Sequence, residues 1–249
     1  VLVNVPSFSA CAEAGSTTSA CHAVSVRKIS CTTRCSSLAS ASPMSQYFEV
    51  HPDNPQPRLL KQAVDRLKAG ELLVMATDAS YVLVCHIGDK AALERLRRVR
   101  GLDDHHHLTL LCRDLSEIGT YAKVDNSVFR LLKAHTPGAY TFILPGTKEV
   151  PKRLLHPKKQ TIGIRIPDHP VAQGLLELMG EPLLSTTLQM PGDSEPLNDP
   201  EDIVSQLQKR VDVILDSGHG GLMSTTVVDF SDDNPVVLRE GLGDPSPFQ

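Results

Sequence analysis

Residues 44–249 predict an α/β domain built on a mixed sheet with flanking helices. Apolar runs of strand length alternate with amphipathic helical stretches through most of this region. Its end is strand-rich, which argues against a doubly wound parallel sheet. Residues 1–43 are different material, with ten Ser, four Thr and four of the six Cys, and no run with a clear helix or strand period. Such a segment has little apolar surface to offset the entropy of ordering it, and is expected to be disordered. Its only basic residues are Arg27, Lys28 and Arg34, thin for a transit peptide, and no positive cluster precedes an apolar stretch of signal length. The first methionine is Met44, so the expectation is an upstream segment followed by one domain, residues 44–249.

The elements follow from local chemistry. Asn54-Pro55 is a helix opening, and Leu59, Leu60, Ala63, Val64 and Leu67 make its apolar stripe before Gly70. Leu72–Met75 and Tyr81–Cys85 read as neighbouring strands joined by the Thr77–Ser80 turn. A helix from Asp89 to Arg100 buries Ala92, Leu93, Leu96 and Val99 and stops at Gly101. Leu108–Cys112 is a strand and Asp125–Ala134 a helix with an acidic cap. Pro137-Gly138 turns the chain into the strand Tyr140–Leu144, and Thr161–Ile166 is the next. Pro170–Met179 is helical, with Asp168 as its cap and Gly180 as its stop. Leu183-Leu184 enters a short strand, and Asp199-Pro200 starts another helix. Val211–Leu215, Thr226–Phe230 and Val236–Leu238 are the late strands, and residues 190–199 form a loop.

Composition narrows the function. No apolar run approaches the ~18 residues needed to span a bilayer. Trp is absent, with four Tyr and six Phe, so the core relies on Leu, Val and Ile. The net charge is −4, and residues 44–249 are more acidic still because residues 1–43 hold three basic side chains against one acidic. Net acidity disfavours a general nucleic-acid binder, although Arg95, Arg97, Arg98 and Arg100 cluster locally, as do Lys148, Lys152, Arg153, Lys158 and Lys159. Only Cys85 and Cys112 fall in the domain, each inside an apolar strand. They read as small buried hydrophobes in a protein of a reducing, cytoplasmic compartment.

Most catalytic signatures are missing: no G-x-S-x-G, Walker loop, H-E-x-x-H or dinucleotide fingerprint occurs. His105-His106-His107 is a poor metal triplet, because adjacent side chains on an extended chain point in alternating directions; an exposed polar loop is expected. Thr161 and Arg165 share one strand face and Ile162, Ile164 and Ile166 the other. If Ser185, Thr186 and Thr187 end the neighbouring strand, their hydroxyls and Arg165 can serve a phosphate, sugar or carboxylate. Asp229 and Arg239 lie at strand ends, where ordinary ion pairs are common.

Six segments taken together resemble the YrdC-like family, and within it the YciO branch: Thr77–Tyr81, Thr136–Leu144, Thr161–Pro167, Leu184–Thr187, Ser224–Asp229 and Leu238–Gly241. The resemblance spans residues 44–249. It implies a twisted open sheet around a concave basic cleft. The family's synthases combine threonine, bicarbonate and ATP into threonylcarbamoyl-adenylate for tRNA modification, with ATP and Mg2+ as substrate and ion and no tightly bound cofactor. Wider members imply tRNA, rRNA or double-stranded RNA as partners. On matching positions, Thr77 would place the amino-acid portion, Arg100, Arg165 and Arg239 the anionic portion, and Ser185 the nucleotide, with Thr187 nearby. No covalent nucleophile or resident metal is implied.

This chain departs from the synthase pattern. Pro-Thr-Asp-Thr is replaced by Ala76-Thr77-Asp78-Ala79. In the Lys-x-Arg-Pro element, Arg100 takes the lysine position, Leu102 the arginine and Asp103 the proline. Ser-Thr-Ser-Ala-Asn becomes Ser185-Thr186-Thr187-Leu188-Gln189. The expectation is a nucleotide-binding relative with weak or altered synthase chemistry. The alternatives are a non-catalytic binder of structured RNA and an active synthase.

Overall fold

The structure, a computed structural model, describes residues 44–103, 106–232 and 234–249. The expectations for residues 1–43 and for His105 fall outside the described residues. The described residues form a mixed α/β sheet with flanking helices. In chain order the elements are β1 (Gln46–Glu49), α1 (Pro57–Lys68), β2 (Leu73–Ala76), β3 (Tyr81–His86), α2 (Lys90–Arg100), β4 (Thr109–Leu111), α3 (Leu115–Tyr121), α4 (Asn126–His135) and β5 (Tyr140–Pro145). They continue with β6 (Thr161–Arg165), α5 (Pro170–Met179), β7 (Leu183–Thr187), α6 (Pro200–Leu207), β8 (Val213–Asp216), β9 (Thr226–Asp229) and β10 (Val236–Arg239).

The strands join one ten-stranded sheet in the order β1-β8-β2-β3-β7-β4-β6-β5-β9-β10. Parallel pairs (β1–β8, β8–β2, β4–β6, β5–β9) sit among antiparallel ones. Alternation along the strands divides the core into two layers. Leu73, Met75, Val82, Val84, Leu111 and Leu183 face a layer completed by α1 and α5. Leu72, Val74, Leu83, Leu110, Phe142 and Ile164 face the other, which receives α2, α4 and α6.

Local signals account for most helix ends. Asp89, Asp125 and Asp199 each accept a first-turn amide, from Ala92, Val128 and Glu201. Gly101 and Gly180 end α2 and α5 in the left-handed conformation that glycine adopts without a Cβ penalty. Three expectations change. The first helix opens at Pro57 rather than Pro55, with Gln56 before it. Asp168 does not cap α5: His169 takes that position, while the Asp168 amide donates to Asp78 Oδ1 at 3.2 Å. The strand at Leu183 runs on to Thr187, so Ser185–Thr187 are ladder residues paired with β3.

Two elements had gone unrecognised. β1 gains its structure from pairing with β8, and its mostly exposed residues show no buried face to read. α3 is a single short segment that buries only Ile118, held by its Asp114 cap. The aromatics are also less dispersed than composition implies: Tyr140, Phe142, Phe230 and Phe248 pack with ring centroids 5.8–6.1 Å apart, anchoring the C-terminal turn on β5. Among the described residues, no helix is long and apolar enough to cross a membrane.

Candidate functional site

Helices α1 and α5 cover only part of their sheet face, around β2, β3 and β8. On β7, β4, β6, β5 and β9 the same face adds hydroxyls, glycine and arginine to apolar Ile143 and Val227. Register lays these groups side by side. Thr109 lies opposite both Ser185 and Gly163, Gly163 opposite Ile143, and Arg165 opposite Leu111. Thr141 lies opposite Val227, and Val227 opposite Arg239. All of these but Leu111 line a cavity of about 240 Å³.

Five of the six residues singled out in the sequence meet here: Arg100, Arg165, Ser185, Thr187 and Arg239. Thr77 is not in the lining. Its hydroxyl is engaged in the β2–β3 turn, donating to the Ser80 carbonyl at 2.7 Å with the Ala79 and Ser80 amides 3.4 Å away.

Arg165 is 4 % exposed and donates to Asp78 Oδ1 at 2.5 Å. Burial pushes its pKa down, and Asp78 opposes that shift. Asp78, next to Thr77, therefore ties the turn to the end of β6. Arg100 has no such partner. It is 8 % exposed, its Nε is buried without a hydrogen bond, and no carboxylate pairs with it among the described residues. Burial alone pushes its pKa down. Arg239 lies at the exposed edge, where its guanidinium donates to the Thr225 carbonyl at 3.0 and 3.2 Å. Asp229, read as a strand-end residue of the kind that forms ordinary ion pairs, accepts from Lys159 at 3.2 Å.

Hydroxyl contacts define what the floor offers. Ser185 Oγ donates to the Thr109 carbonyl at 3.0 Å, leaving its lone pairs free to accept. The Thr141 and Thr225 hydroxyls are hydrogen-bonded at 2.8 Å, and either can donate. Gly163 keeps the floor low: a Cβ there would stand 3.1 Å from the Leu108 carbonyl and 3.1 Å from Thr109 Oγ1. Among the described residues the lining contains three arginines, two histidines and no Asp or Glu.

Those histidines, His106 and His107, lie on a loop, as read from the sequence, and also form part of the cavity wall. His106 is exposed and His107 half-buried, yet both line the cavity, and His107 stacks on His156 with centroids 4.8 Å apart. Removal from water, then Arg100, pushes His106 below the usual imidazole value. Removal from water, then His156, does the same to His107. No group of three or more metal-ligating side chains forms among the described residues. Thr109, Thr141 and Thr225 were missed because a lone threonine in a strand carries no chemical signal. A glycine inside a strand, as at Gly163, was the available one.

Comparison with known proteins extends this geometry. A family model named Sua5_yciO_yrdC, described as "Telomere recombination", matches residues 65–241. Escherichia coli K12 YciO, an uncharacterized protein, is 56 % identical over 205 residues, covering 82 % of this chain and all of that one. Its crystal structure superposes with a TM-score of 0.81 over 83 % of this chain and all of that chain. Bacillus subtilis threonylcarbamoyl-AMP synthase is 27 % identical over 195 residues, which cover 78 % of this chain and 55 % of the synthase. Pyrococcus abyssi Sua5 complexed with L-threonine shares the fold at 22 % identity and a TM-score of 0.74, over 79 % of this chain and 58 % of that one.

Proposed function

This chain belongs to the Sua5, YciO and YrdC family, and on that premise we propose that its cavity is a basic cleft for the phosphates of a nucleotide, ATP above all, with synthase chemistry weakened or altered. One observation carries the reading. Arg100 is a nearly buried cation without a carboxylate partner among the described residues, lining the same cavity as Arg165 and Arg239. Burying an unpaired charge is costly, and an anionic ligand removes that cost. The cavity, at about 240 Å³, lies below the ~300–1,000 Å³ of pockets that enclose a drug-sized ligand. It suits a polyphosphate, with sugar and base reaching past the rim.

The departures from the synthase pattern support altered turnover. Leu102 packs against the core where a second basic group would stand. Ala79 is fully buried, and a Cβ on Gly221 would collide with its carbonyl. Leu188 is fully buried, and Gln189 lines the cavity with its amide nitrogen already donating to the Asp193 carbonyl at 2.7 Å. Losing a charge-assisted bond costs ~1.5–3 kcal/mol, about ten- to 150-fold in rate if it acts at the transition state. Among the described residues the lining offers hydroxyls but no carboxylate, a donor set that does not fit a protein-held Mg2+; the ion would arrive on the triphosphate.

RNA binding ranks second. The basic segment beside the cavity favours it, yet Lys159 pairs with Asp229, leaving less free charge for a tRNA, rRNA or double-stranded RNA backbone. Cys85 and Cys112 are buried free thiols, consistent with a reducing, cytoplasmic setting. Burial pushes Cys85 up to about 12, which keeps the thiol unreactive.

The test is incubation with ATP, Mg2+, threonine and bicarbonate, following pyrophosphate and acyl-adenylate by mass spectrometry, beside a calorimetric ATP titration. ATP binding that falls at least about tenfold in Arg100→Ala, with product well below a synthase control, is the expected result. Turnover equal to the control would overturn the weakened-chemistry reading, and salt-sensitive RNA retention without ATP binding would favour the second reading.

A further inference from the structure

We propose that His106 and His107 are anion-binding residues of the cavity that take up a proton when a polyphosphate enters. The inference rests on the nucleotide-phosphate reading and specifies the chemistry by which the site recognises its ligand. Both rings line the cavity that holds Arg100, Arg165 and Arg239, in a lining without Asp or Glu among the described residues. Stacking on His156 fixes the ring plane of His107.

Partial removal from water and the charged surroundings both favour the neutral rings before a ligand arrives. His106 faces Arg100 from α2 and Arg239 from β10, with His107 and Asp103 on its own loop; of these, only Asp103 favours the charged ring. His107 faces His156 and Lys159 from the segment before β6 and Asp229 from β9, and of these only Asp229 favours charge. Partial removal from water, and after it the cations, hold both imidazoles below their ordinary value. A multiply charged phosphate reverses the balance, because an opposite charge within a few ångströms stabilises imidazolium. The neutral rings avoid adding to cationic repulsion in the free protein, and the protonated rings donate to phosphate oxygens in the complex. Binding would then be stronger at lower pH, by up to about tenfold per pH unit for each proton taken up.

Calorimetric titration of the full chain with inorganic tripolyphosphate, from about pH 6 to about pH 8 in two buffers of different ionisation enthalpy, counts the protons. Tripolyphosphate titrates by itself, so the readout is the difference between wild type and variants. The H106Q/H107Q variant is expected to lose the extra proton uptake, with its largest deficit in affinity near pH 6. His106→Arg, permanently charged, is expected to retain tight binding near pH 8 while losing its share of the pH slope. Thermal melts verify folding of both. Equal proton uptake and equal slopes in wild type and H106Q/H107Q would overturn the proposal. Failure of folded wild type to bind at any pH would overturn it together with the phosphate reading. Loss of binding in Arg100→Ala with unchanged slopes in the histidine variants would overturn the histidine role alone.

Discussion

Arg100 and Arg165 are both buried cations, yet their partners give them opposite consequences. Asp78 compensates Arg165 at 2.5 Å, so removing the carboxylate strands a charge that is 4 % exposed. Asp78→Ala is expected to cost ~3–5 kcal/mol, measured by urea denaturation. A loss below about 1 kcal/mol would show that the pair contributes little. Arg100 has no counter-charge to lose among the described residues. Arg100→Met is expected to raise the melting temperature while weakening ATP binding at least about tenfold, since a residue kept for a ligand is often a poor residue for stability. A lower melting temperature would mean that Arg100 stabilises the free protein. Arg165 was legible as a strand residue and Asp78 as a turn residue. Their pairing was not, because the partners lie 87 positions apart and nothing in either local pattern points to the other.

At the scale of elements, one strand face has two uses. Around β2 and β3 it carries Leu, Val and Met against α1 and α5, and across β4, β6 and β5 it carries hydroxyls, glycine and arginine around the cavity. Gly163 is the low point of that second region. Gly163→Val would push branched carbons toward the Leu108 carbonyl and Thr109. The expected outcome is ~1–3 kcal/mol of destabilisation with reduced polyphosphate affinity, read by urea titration and calorimetry. Affinity equal to wild type would place the ligand away from the strand floor. The C-terminal turn depends on a different contact, since Phe248 is 3 % exposed and packs among Tyr140, Phe142 and Phe230. Phe248→Ala is expected to cost ~3–5 kcal/mol in chemical denaturation. Most helices could be placed from their caps and stripes; α3 could not, because a helix burying one residue leaves no stripe.

For the whole molecule, the histidines set the response to mild acid. His106, His107 and His169 are all pushed below their ordinary value, in each case first by removal from water. The unfolded chain binds protons near pH 6.5 that these folded rings refuse. Unfolding therefore gains protons as pH falls, so stability drops through and below about pH 6.5. Carboxylates such as Asp114, held below the usual range chiefly by its Glu117 amide bond, act at still lower pH. Urea midpoints should thus fall between about pH 7 and pH 5.5, less so in His169→Gln, and a flat or rising midpoint would contradict the assignment. The sequence by itself determined the α/β class, most element positions and, through the two-residue period of strands, that Thr161 and Arg165 face away from Ile162 and Ile164. Only the tertiary structure decided that β7 lies between β3 and β4, that β9 and β10 follow β5, and so that Ser185, Arg165 and Arg239 share a cavity while Thr77 stands outside it. The reason is physical: side-chain direction is set by each strand's own backbone, whereas strand order is set by long-range packing that no local period encodes.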